Sequence, residues 1–308
     1  MSLPTRADVE NAAARIGEKI RHTPTLVLHG DELGVPFRVV LKLELLQHTG
    51  SFKARGALNS VMSLDPTTGG VVAASGGNHG AAVAWAAHRA GLTADVFVPV
   101  TATPAKLERI EEYGGRLHAV DGDVGDALEA CREMSAREGL PLVHPYDTVE
   151  TVSGAGTLGL EVVEAVPDAG AVLLGCGGGG LYAGTVAAVG DLLPVTPVET
   201  ELCPHLHVAR EAGHPVPHSS RGAAADSLGP PQIGRLAYET AAARGTTSVL
   251  VSEQETLAAR RFLWQRVRVL AEPGASVAIA AVLAGKVDVE PGSTVVVVVS
   301  GGNNPAMP

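Results

Sequence analysis

One lysine of the chain stands in a setting that is unusual for a charged side chain. Lys53 lies in the stretch TGSFKARGA, directly after a Gly-Ser turn and at the start of a predicted helix. A lysine at such a position normally keeps its ammonium group in solvent. Here the neighbours are small and apolar and offer little polar cover. A desolvated lysine has a lowered pKa and becomes a nucleophile, as Schiff-base formation requires.

A second stretch, GCGGGGL at residues 175–181, predicts a phosphate site. Successive glycines let backbone N–H groups approach an anion closely, and the N-terminus of a following helix favours negative charge. Gly175, Gly177 and Gly180 also satisfy the dinucleotide pattern GxGxxG, with Glu199 about 20 residues further on, where a ribose-binding acid would stand. An NAD-binding oxidoreductase is therefore one alternative, whereas no Lys-Ser/Thr pair follows the glycines, which excludes a Walker A loop.

Lys53 and the glycine loop together indicate one kind of ligand. An aldehyde that also carries a phosphate would use both features, and pyridoxal phosphate meets both demands. A catalytically silent ligand-binding protein is a further alternative, because ligand-site residues alone do not establish turnover.

The remaining sequence predicts the elements that position these residues. Apolar runs of strand length alternate with Ala-rich helical patterns, which is typical of a mostly parallel α/β architecture. A polar, Pro- and Gly-rich segment at 213–231 predicts a long loop of the kind that borders a site. The predicted strands are 38–43, 71–74, 94–98, 171–174, 195–198, 248–251 and 294–299, and the clearest predicted helices are 79–90, 104–113 and 125–137.

Composition and net charge argue against several classes of binding partner. The 308 residues suggest two lobes, and the net charge of -10 without a Lys/Arg run argues against nucleic acid or an anionic membrane. No apolar segment reaches the length of a membrane span, and the N-terminus has no signal-peptide core, so a cytoplasmic location is expected. Three widely spaced cysteines form neither a disulfide framework nor a CxxC pair.

Five stretches resemble, in the same order, the motifs of the serine/threonine dehydratase family, which includes threonine ammonia-lyases and serine racemases. The resemblance implies the two-lobed pyridoxal-phosphate fold type II, an α/β fold in which each lobe is a mostly parallel open sheet flanked by helices. It implies a large cofactor-binding domain at 1–68 and 147–308 and a small substrate-loop domain at 69–146. The stretches are KLELLQHTGSFKARGALNS, ASGGNHGAAVAWAA, GGGGLYAG, AEPGASVAIAAVLAG and VVVVSGGNN.

The resemblance also implies roles for single residues. Lys53 would hold the cofactor as a Schiff base, Phe52 would pack beside its ring, and Asn78 would hydrogen-bond its 3-hydroxyl group. Ser300 would face the pyridine nitrogen. The phosphate would be bound by the amides of Gly177, Gly178, Gly179, Gly180 and Leu181, and the substrate carboxylate by the loop Ser75, Gly76, Gly77, Asn78 and His79.

The activity implied is that of a pyridoxal-phosphate-dependent lyase. Such an enzyme eliminates water from a β-hydroxy amino acid, L-threonine or L-serine, to give a 2-oxo acid and ammonia. Ser300 supports elimination, because a hydroxyl cannot hold a proton on the pyridine nitrogen as a carboxylate would. Gly76 stands where the racemases of the family carry a serine as second acid/base, so elimination is favoured over the alternative, amino acid racemisation.

Departures from the family pattern leave the substrate open. Ala155 stands where glutamine is usual, and Ser227 replaces a glycine, so a 3-hydroxyaspartate-like or bulkier substrate is an alternative. The family's cation site would comprise Glu199, the carbonyl of Cys203 and His205, which replaces an acid. A hard cation prefers oxygen ligands, so a Mg²⁺ or Ca²⁺ site is only an option. A small amino acid is the expected partner, and a homodimer or higher homo-oligomer the expected assembly.

Overall fold

The computed structural model describes residues 2–304 and 306–308 and has two separate sheets. The larger sheet has the strand order β1-β2-β9-β6-β7-β8, and the smaller one has the order β3-β4-β5. The strands are β1 (Thr25–Leu28), β2 (Arg38–Lys42), β3 (Gly70–Ala74), β4 (Thr93–Pro99), β5 (Gly115–Val120), β6 (Ala169–Gly175), β7 (Val195–Thr200), β8 (Val249–Val251) and β9 (Thr294–Val298).

The larger sheet is parallel apart from β1, which pairs antiparallel with β2. Its central strands are buried on both faces. Val295 and Val297 of β9 pack into one hydrophobic core, whereas Val296 and Val298 pack into a second core on the opposite face. This double burial explains the unbroken valine run of β9, because neither face has to be polar.

The smaller sheet is parallel throughout and has its own core. Val71 and Ala73 of β3 pack with α4 (Asn78–Ala90), while Val72 faces a smaller cluster with Phe97. The helix α3 (Lys53–Met62) packs against both α4 and α7 (Val149–Ala165) and so lies between the two sheets. The helices are α1 (Arg6–Ile16), α2 (Gly30–Leu33), α3 (Lys53–Met62), α4 (Asn78–Ala90), α5 (Pro104–Glu112), α6 (Val124–Glu138), α7 (Val149–Ala165), α8 (Gly180–Val189), α9 (His205–Ala212), α10 (Ala225–Leu228), α11 (Arg235–Arg244), α12 (Glu253–Phe262) and α13 (Val277–Leu283).

The two-lobed α/β fold and all seven predicted strands are confirmed, and two further strands were missed. β1 is a four-residue edge strand with two exposed central residues, and β5 alternates polar and apolar side chains, so neither shows a buried run. The segment 213–231 is largely irregular but contains the short helix α10. The small sheet lies within 69–146, while the domain boundaries themselves stay a prediction. Among the described residues, no helix is long and apolar enough to cross a membrane.

Candidate active site

Lys53 is the first residue of α3, and its turn is fixed to the end of β9. The amide of Phe52 donates to the carbonyl of Ser300 at 3.0 Å, and Ser51 forms a bridge with Gly301. Just before it, Thr49 has φ 58°, which is a strained conformation for a β-branched residue. The Thr49 carbonyl accepts from Asn303 Nδ2 at 2.8 Å, which helps to hold this conformation. Such strain is often found at functional sites.

The buried ammonium group of Lys53 has no carboxylate in direct contact with it among the described residues. Its Nζ donates to the carbonyl of Pro145 at 2.7 Å and lies 5.2 Å from the centroid of the Phe52 ring. Burial lowers the pKa of Lys53 to about 8, against the weaker opposing effect of the Glu272 charge. At pH 7 about a tenth of this amine is therefore neutral, far more than for an ordinary lysine, and only the neutral form can act as a nucleophile or base.

Two residues further along α3, Arg55 shows the opposite arrangement. Its guanidinium donates twice to Glu44, at 2.8 Å each, and once to Glu161, at 2.6 Å. Lys42 also donates to Glu161, at 2.5 Å, so two cations and two carboxylates form one buried network. Burial alone would lower the pKa of Arg55, but the two carboxylates outweigh it and raise the pKa above its ordinary value. Arg55 is therefore a permanent charge with a structural role.

The glycine loop offers backbone donors. Five successive amides of the described chain donate to no acceptor, namely those of Gly177, Gly178, Gly179, Gly180 and Leu181. The loop is packed so tightly that a Cβ on Gly178 would lie 2.3 Å from Cγ of Tyr146. Gly179 has φ +80°, which only glycine adopts without strain. Amides without acceptors at the start of α8 form a site that an anion can fill.

The loop from Ser75 to His79 leads from β3 into α4. Two of its amides are already used, because Ser75 donates to the Phe97 carbonyl at 3.1 Å and Gly77 donates to Ser75 Oγ at 3.2 Å. The amides of Gly76, Asn78 and His79 have no acceptor among the described residues. They are therefore the better candidates for binding a carboxylate. His79 itself is buried, with Nε2 donating to the Val143 carbonyl at 2.9 Å. Burial, and then the Lys53 charge, lower its pKa to about 3, so its imidazole is neutral.

Asn78 is held by a buried carboxylate. Its Nδ2 donates to both oxygens of Glu272, at 2.9 and 3.1 Å, and its Oδ1 accepts from Asn303 Nδ2 at 2.6 Å. Burial raises the pKa of Glu272, while the hydrogen bond from Asn78 opposes the rise. The Asn78 amide therefore has a fixed orientation, with its oxygen towards Asn303 and its nitrogen towards Glu272.

One cleft of about 380 Å³ brings the sequence-predicted residues together. This volume lies within the usual range for small-molecule sites. Tyr146, Glu272 and Ser227 line it as well. The predicted residues among its lining are Phe52, Lys53, Ser75, Gly76, Gly77, Asn78, His79, Gly177, Gly178, Gly179, Gly180, Leu181 and Ser300.

Several residues in and beside this cleft were not predicted from the sequence. Glu272 and Asn303 lie within the motifs AEPGAS and SGGNN, so the signal was present, but nothing in one sequence indicates that the two residues meet at Asn78. Pro145 and Tyr146 belong to no strand or helix pattern in the sequence. Tertiary structure alone brings the Pro145 carbonyl and the Tyr146 ring to the cleft.

The predicted cation residues are engaged with other groups of the chain. Glu199 is buried and accepts from the amides of Leu206 and His207, at 2.7 and 2.9 Å, and burial raises its pKa to about 7. His205 Nε2 lies 2.8 Å from Ser220 Oγ, and the Cys203 thiol donates to the Arg221 carbonyl. No cluster of three or more His, Cys, Asp or Glu side chains able to hold a metal occurs in the described part of the chain. The Mg²⁺ or Ca²⁺ site stays a prediction.

Comparisons with known proteins agree with this geometry. Residues 16–301 match the model of a family described as pyridoxal-phosphate dependent enzyme. The chain is 38% identical to a putative threonine dehydratase of Sinorhizobium fredii over 96% of this chain and 91% of that protein. It is 35% identical to the phenylserine dehydratase of Ralstonia pickettii over 92% and 88% of the two chains. Maize serine racemase superposes with a TM-score of 0.92 at 28% identity, covering 98% of this chain and 94% of that one.

The residues present fit the cofactor of this family. The glycine loop provides amides without acceptors for a phosphate, and Lys53 provides an amine of lowered pKa for an aldehyde. Both features line the same cleft.

Proposed function

The chain belongs to the pyridoxal-phosphate-dependent enzymes, and from this premise we propose that it eliminates water from a β-hydroxy amino acid to give a 2-oxo acid and ammonia. The observation that carries the proposal is that the buried Lys53 amine and the glycine loop line the same cleft, with the pKa of Lys53 lowered to about 8. Threonine is the substrate named for one relative and phenylserine for another, and both are β-hydroxy amino acids.

Pyridoxal phosphate, when bound, supplies an aldehyde for the amine of the substrate and a conjugated ring that makes its α-carbon acidic. The amides of the glycine loop would bind the phosphate, and the free amides of Gly76, Asn78 and His79 would hold the substrate carboxylate.

Lys53 then acts as the base. Its neutral Nζ takes the α-proton, and the ammonium so formed returns a proton to the β-hydroxyl, which leaves as water. The released enamine isomerises and takes up one water, so the 2-oxo acid and ammonia form with no net oxidation or reduction. Nearby imidazoles do not compete for this proton, because burial lowers the pKa of His79 to about 3 and that of His144 to about 4.

Racemisation is the second candidate, and one observation opposes it. Racemisation needs a proton carrier on each face of the α-carbon, and Gly76 has no side chain to provide one. The neighbouring hydroxyl of Ser75 accepts from the Gly77 amide, which fixes the position of its oxygen. A Cβ at Gly76 would meet Ala102 Cβ at 3.4 Å, an ordinary contact, so the absence of a side chain there is not forced by packing.

Incubation of the cofactor-loaded protein with L-threonine or L-serine tests the proposal. We expect equal amounts of 2-oxo acid and ammonia, and loss of both products in Lys53→Ala. Accumulation of the D-amino acid without 2-oxo acid would instead establish a racemase. Location in the cytoplasm and assembly into a homo-oligomer stay predictions, and light scattering of the purified chain tests the second.

A further inference from the structure

The turn that precedes Lys53 has two consecutive residues in the left-handed conformation. Thr49 has φ 58° and Gly50 has φ 69°. A β-branched residue adopts this conformation only with strain, whereas glycine adopts it freely. The buried hydroxyl of Thr49 has no hydrogen-bond partner among the described residues, so the side chain does not offset this strain. Contacts from elsewhere in the chain must therefore hold the turn.

Asn303, in the tail after β9, supplies such contacts. Its Nδ2 donates to the Thr49 carbonyl at 2.8 Å. A Cβ built on Gly50 would lie only 2.3 Å from its Oδ1, so the amide group lies directly against both left-handed residues. The neighbouring amide of Gly302 donates to the Gly50 carbonyl at 3.0 Å. From α5, Arg109 also donates to the Thr49 carbonyl, so Asn303 is one of two side-chain donors to it.

The same amide nitrogen also holds Asn78. Asn303 Nδ2 donates to Asn78 Oδ1 at 2.6 Å, and both of its hydrogens are therefore used. The other end of the Asn78 amide donates to Glu272, whose Oε2 also accepts from the main-chain amide of Asn303 at 3.4 Å. Asn78, Glu272 and Asn303 thus form a closed set of hydrogen bonds. Thr49 is 254 residues from Asn303 and Asn78 is 225 residues from it, so one amide group joins three distant segments.

Asn303 itself does not line the cleft that Lys53 lines. It lines an adjoining cavity of about 30 Å³, which has room for about one water. Its neighbour Asn304 lines the same cavity, but the Asn304 Oδ1 accepts from the amide of Ala306 at 3.0 Å and so is directed along the tail. Asn303 can therefore influence the reaction only through the residues that it holds, and among the described residues Asn304 holds none of them.

We propose that Asn303 is a positioning residue for the reaction. With one amide group it holds both the turn before α3 and the Asn78 side chain, and so it fixes Lys53 relative to Asn78 in the same cleft. Small displacements of reacting groups lower rates strongly, which gives such a residue a large effect without contact with the ligand. The inference rests on the proposed function for the role of Lys53, but the effect on the turn does not depend on that function.

Hydrogen exchange of the holoenzyme tests the effect on the turn directly. The amides of Gly50 and Phe52 are hydrogen-bonded, so they are protected from exchange while the turn is intact. We expect Asn303→Ala to speed exchange of a peptide spanning 48–54 by about tenfold or more, and the control Asn304→Ala to leave it unchanged. Equal exchange in the two variants would overturn the proposal.

Capture of pyridoxal phosphate by the cofactor-free protein tests the effect on Lys53. Asn303→Ala leaves Lys53 buried, so the midpoint pH of capture should stay near 8. The rate constant on the plateau should fall by about tenfold, because the amine is no longer held in one orientation. An unchanged plateau would contradict positioning. If the wild-type holoenzyme gives no 2-oxo acid, the proposed function fails, while the exchange and capture results still decide this proposal.

Two further variants separate the hydrogen bonds of Asn303 from its shape. Asn303→Leu keeps the size of the side chain but has no donor, so it should slow capture as much as Asn303→Ala does. Thr49→Gly introduces a residue that takes the left-handed conformation without strain. Added to Asn303→Ala, it should raise the rate constant of capture by about threefold or more. A wild-type rate in Asn303→Leu, or no recovery in the double variant, would show that Asn303 does not act by holding the turn.

Discussion

Lys53 and Arg55 are two cations on the first turn of one helix, and the structure treats them in opposite ways. Arg55 makes hydrogen bonds to the buried Glu44 and the largely buried Glu161, whereas the Nζ of Lys53 has only the Pro145 carbonyl as a hydrogen-bond acceptor in the described chain. Pairing raises the pKa of Arg55, and burial without a paired carboxylate lowers that of Lys53 to about 8. One helix therefore buries one charge for stability and another, two residues away, for reactivity.

The largest expected effect comes from removing the reactive member of the pair. Lys53→Ala should lower kcat by about 10³-fold or more, since the base and the covalent attachment of the cofactor are lost together. Activity and cofactor absorbance measured side by side test this. Lys286→Ala is the control, because Lys286 forms an outer ion pair with Glu255 and should retain full activity. Substantial turnover by Lys53→Ala would contradict the assignment.

Removing Arg55, the structural member of the pair, should lower the stability of the fold. Arg55→Leu leaves Glu44 and Glu161 without their shared partner, which should lower the free energy of unfolding by about 3–5 kcal/mol. Denaturant titration measures this loss. Arg6→Leu breaks the exposed ion pair with Glu10 and should cost no more than about 1 kcal/mol. Similar losses in the two variants would mean that the buried network is not what holds α3.

The sequence predicted the strands that are buried on both faces, and it brought Lys53, the glycine loop and Asn78 into one hypothesis. It could do so because double burial leaves continuous apolar runs, and because each of these residues stands in a local pattern. It could not predict the difference between Lys53 and Arg55. The partners of Arg55 are 11 and 106 residues away along the chain, and those of Asn78 are 194 and 225 residues away. Such contacts depend on tertiary structure and leave no periodicity.

The rate at which Lys53 captures the cofactor should depend on pH. Only the neutral amine of Lys53 attacks an aldehyde, so the rate constant should fall about tenfold for each pH unit below the pKa of about 8 and level off above it. Stopped-flow mixing of cofactor-free protein with pyridoxal phosphate gives this profile. Arg55 stays charged throughout the range and should contribute no step. A midpoint near 10.5, the ordinary lysine value, would show that Lys53 is not desolvated.

The smallest expected effect is that of Glu272→Gln. Its carboxylate accepts from Asn78 through both oxygens, and a glutamine has one oxygen to offer, so kcat should fall by about tenfold at most. The variant also removes the negative charge that raises the pKa of Lys53, so the midpoint of cofactor capture should move below about 8. An unchanged midpoint would show that Glu272 does not act on Lys53.

Borohydride reduction of the cofactor-loaded protein, followed by peptide mass analysis, identifies the lysine that holds the cofactor. We expect the reduced cofactor to be attached to Lys53, and Lys42, which is buried but paired with Glu161, to carry none. Attachment at another lysine, or no attached cofactor, would contradict it.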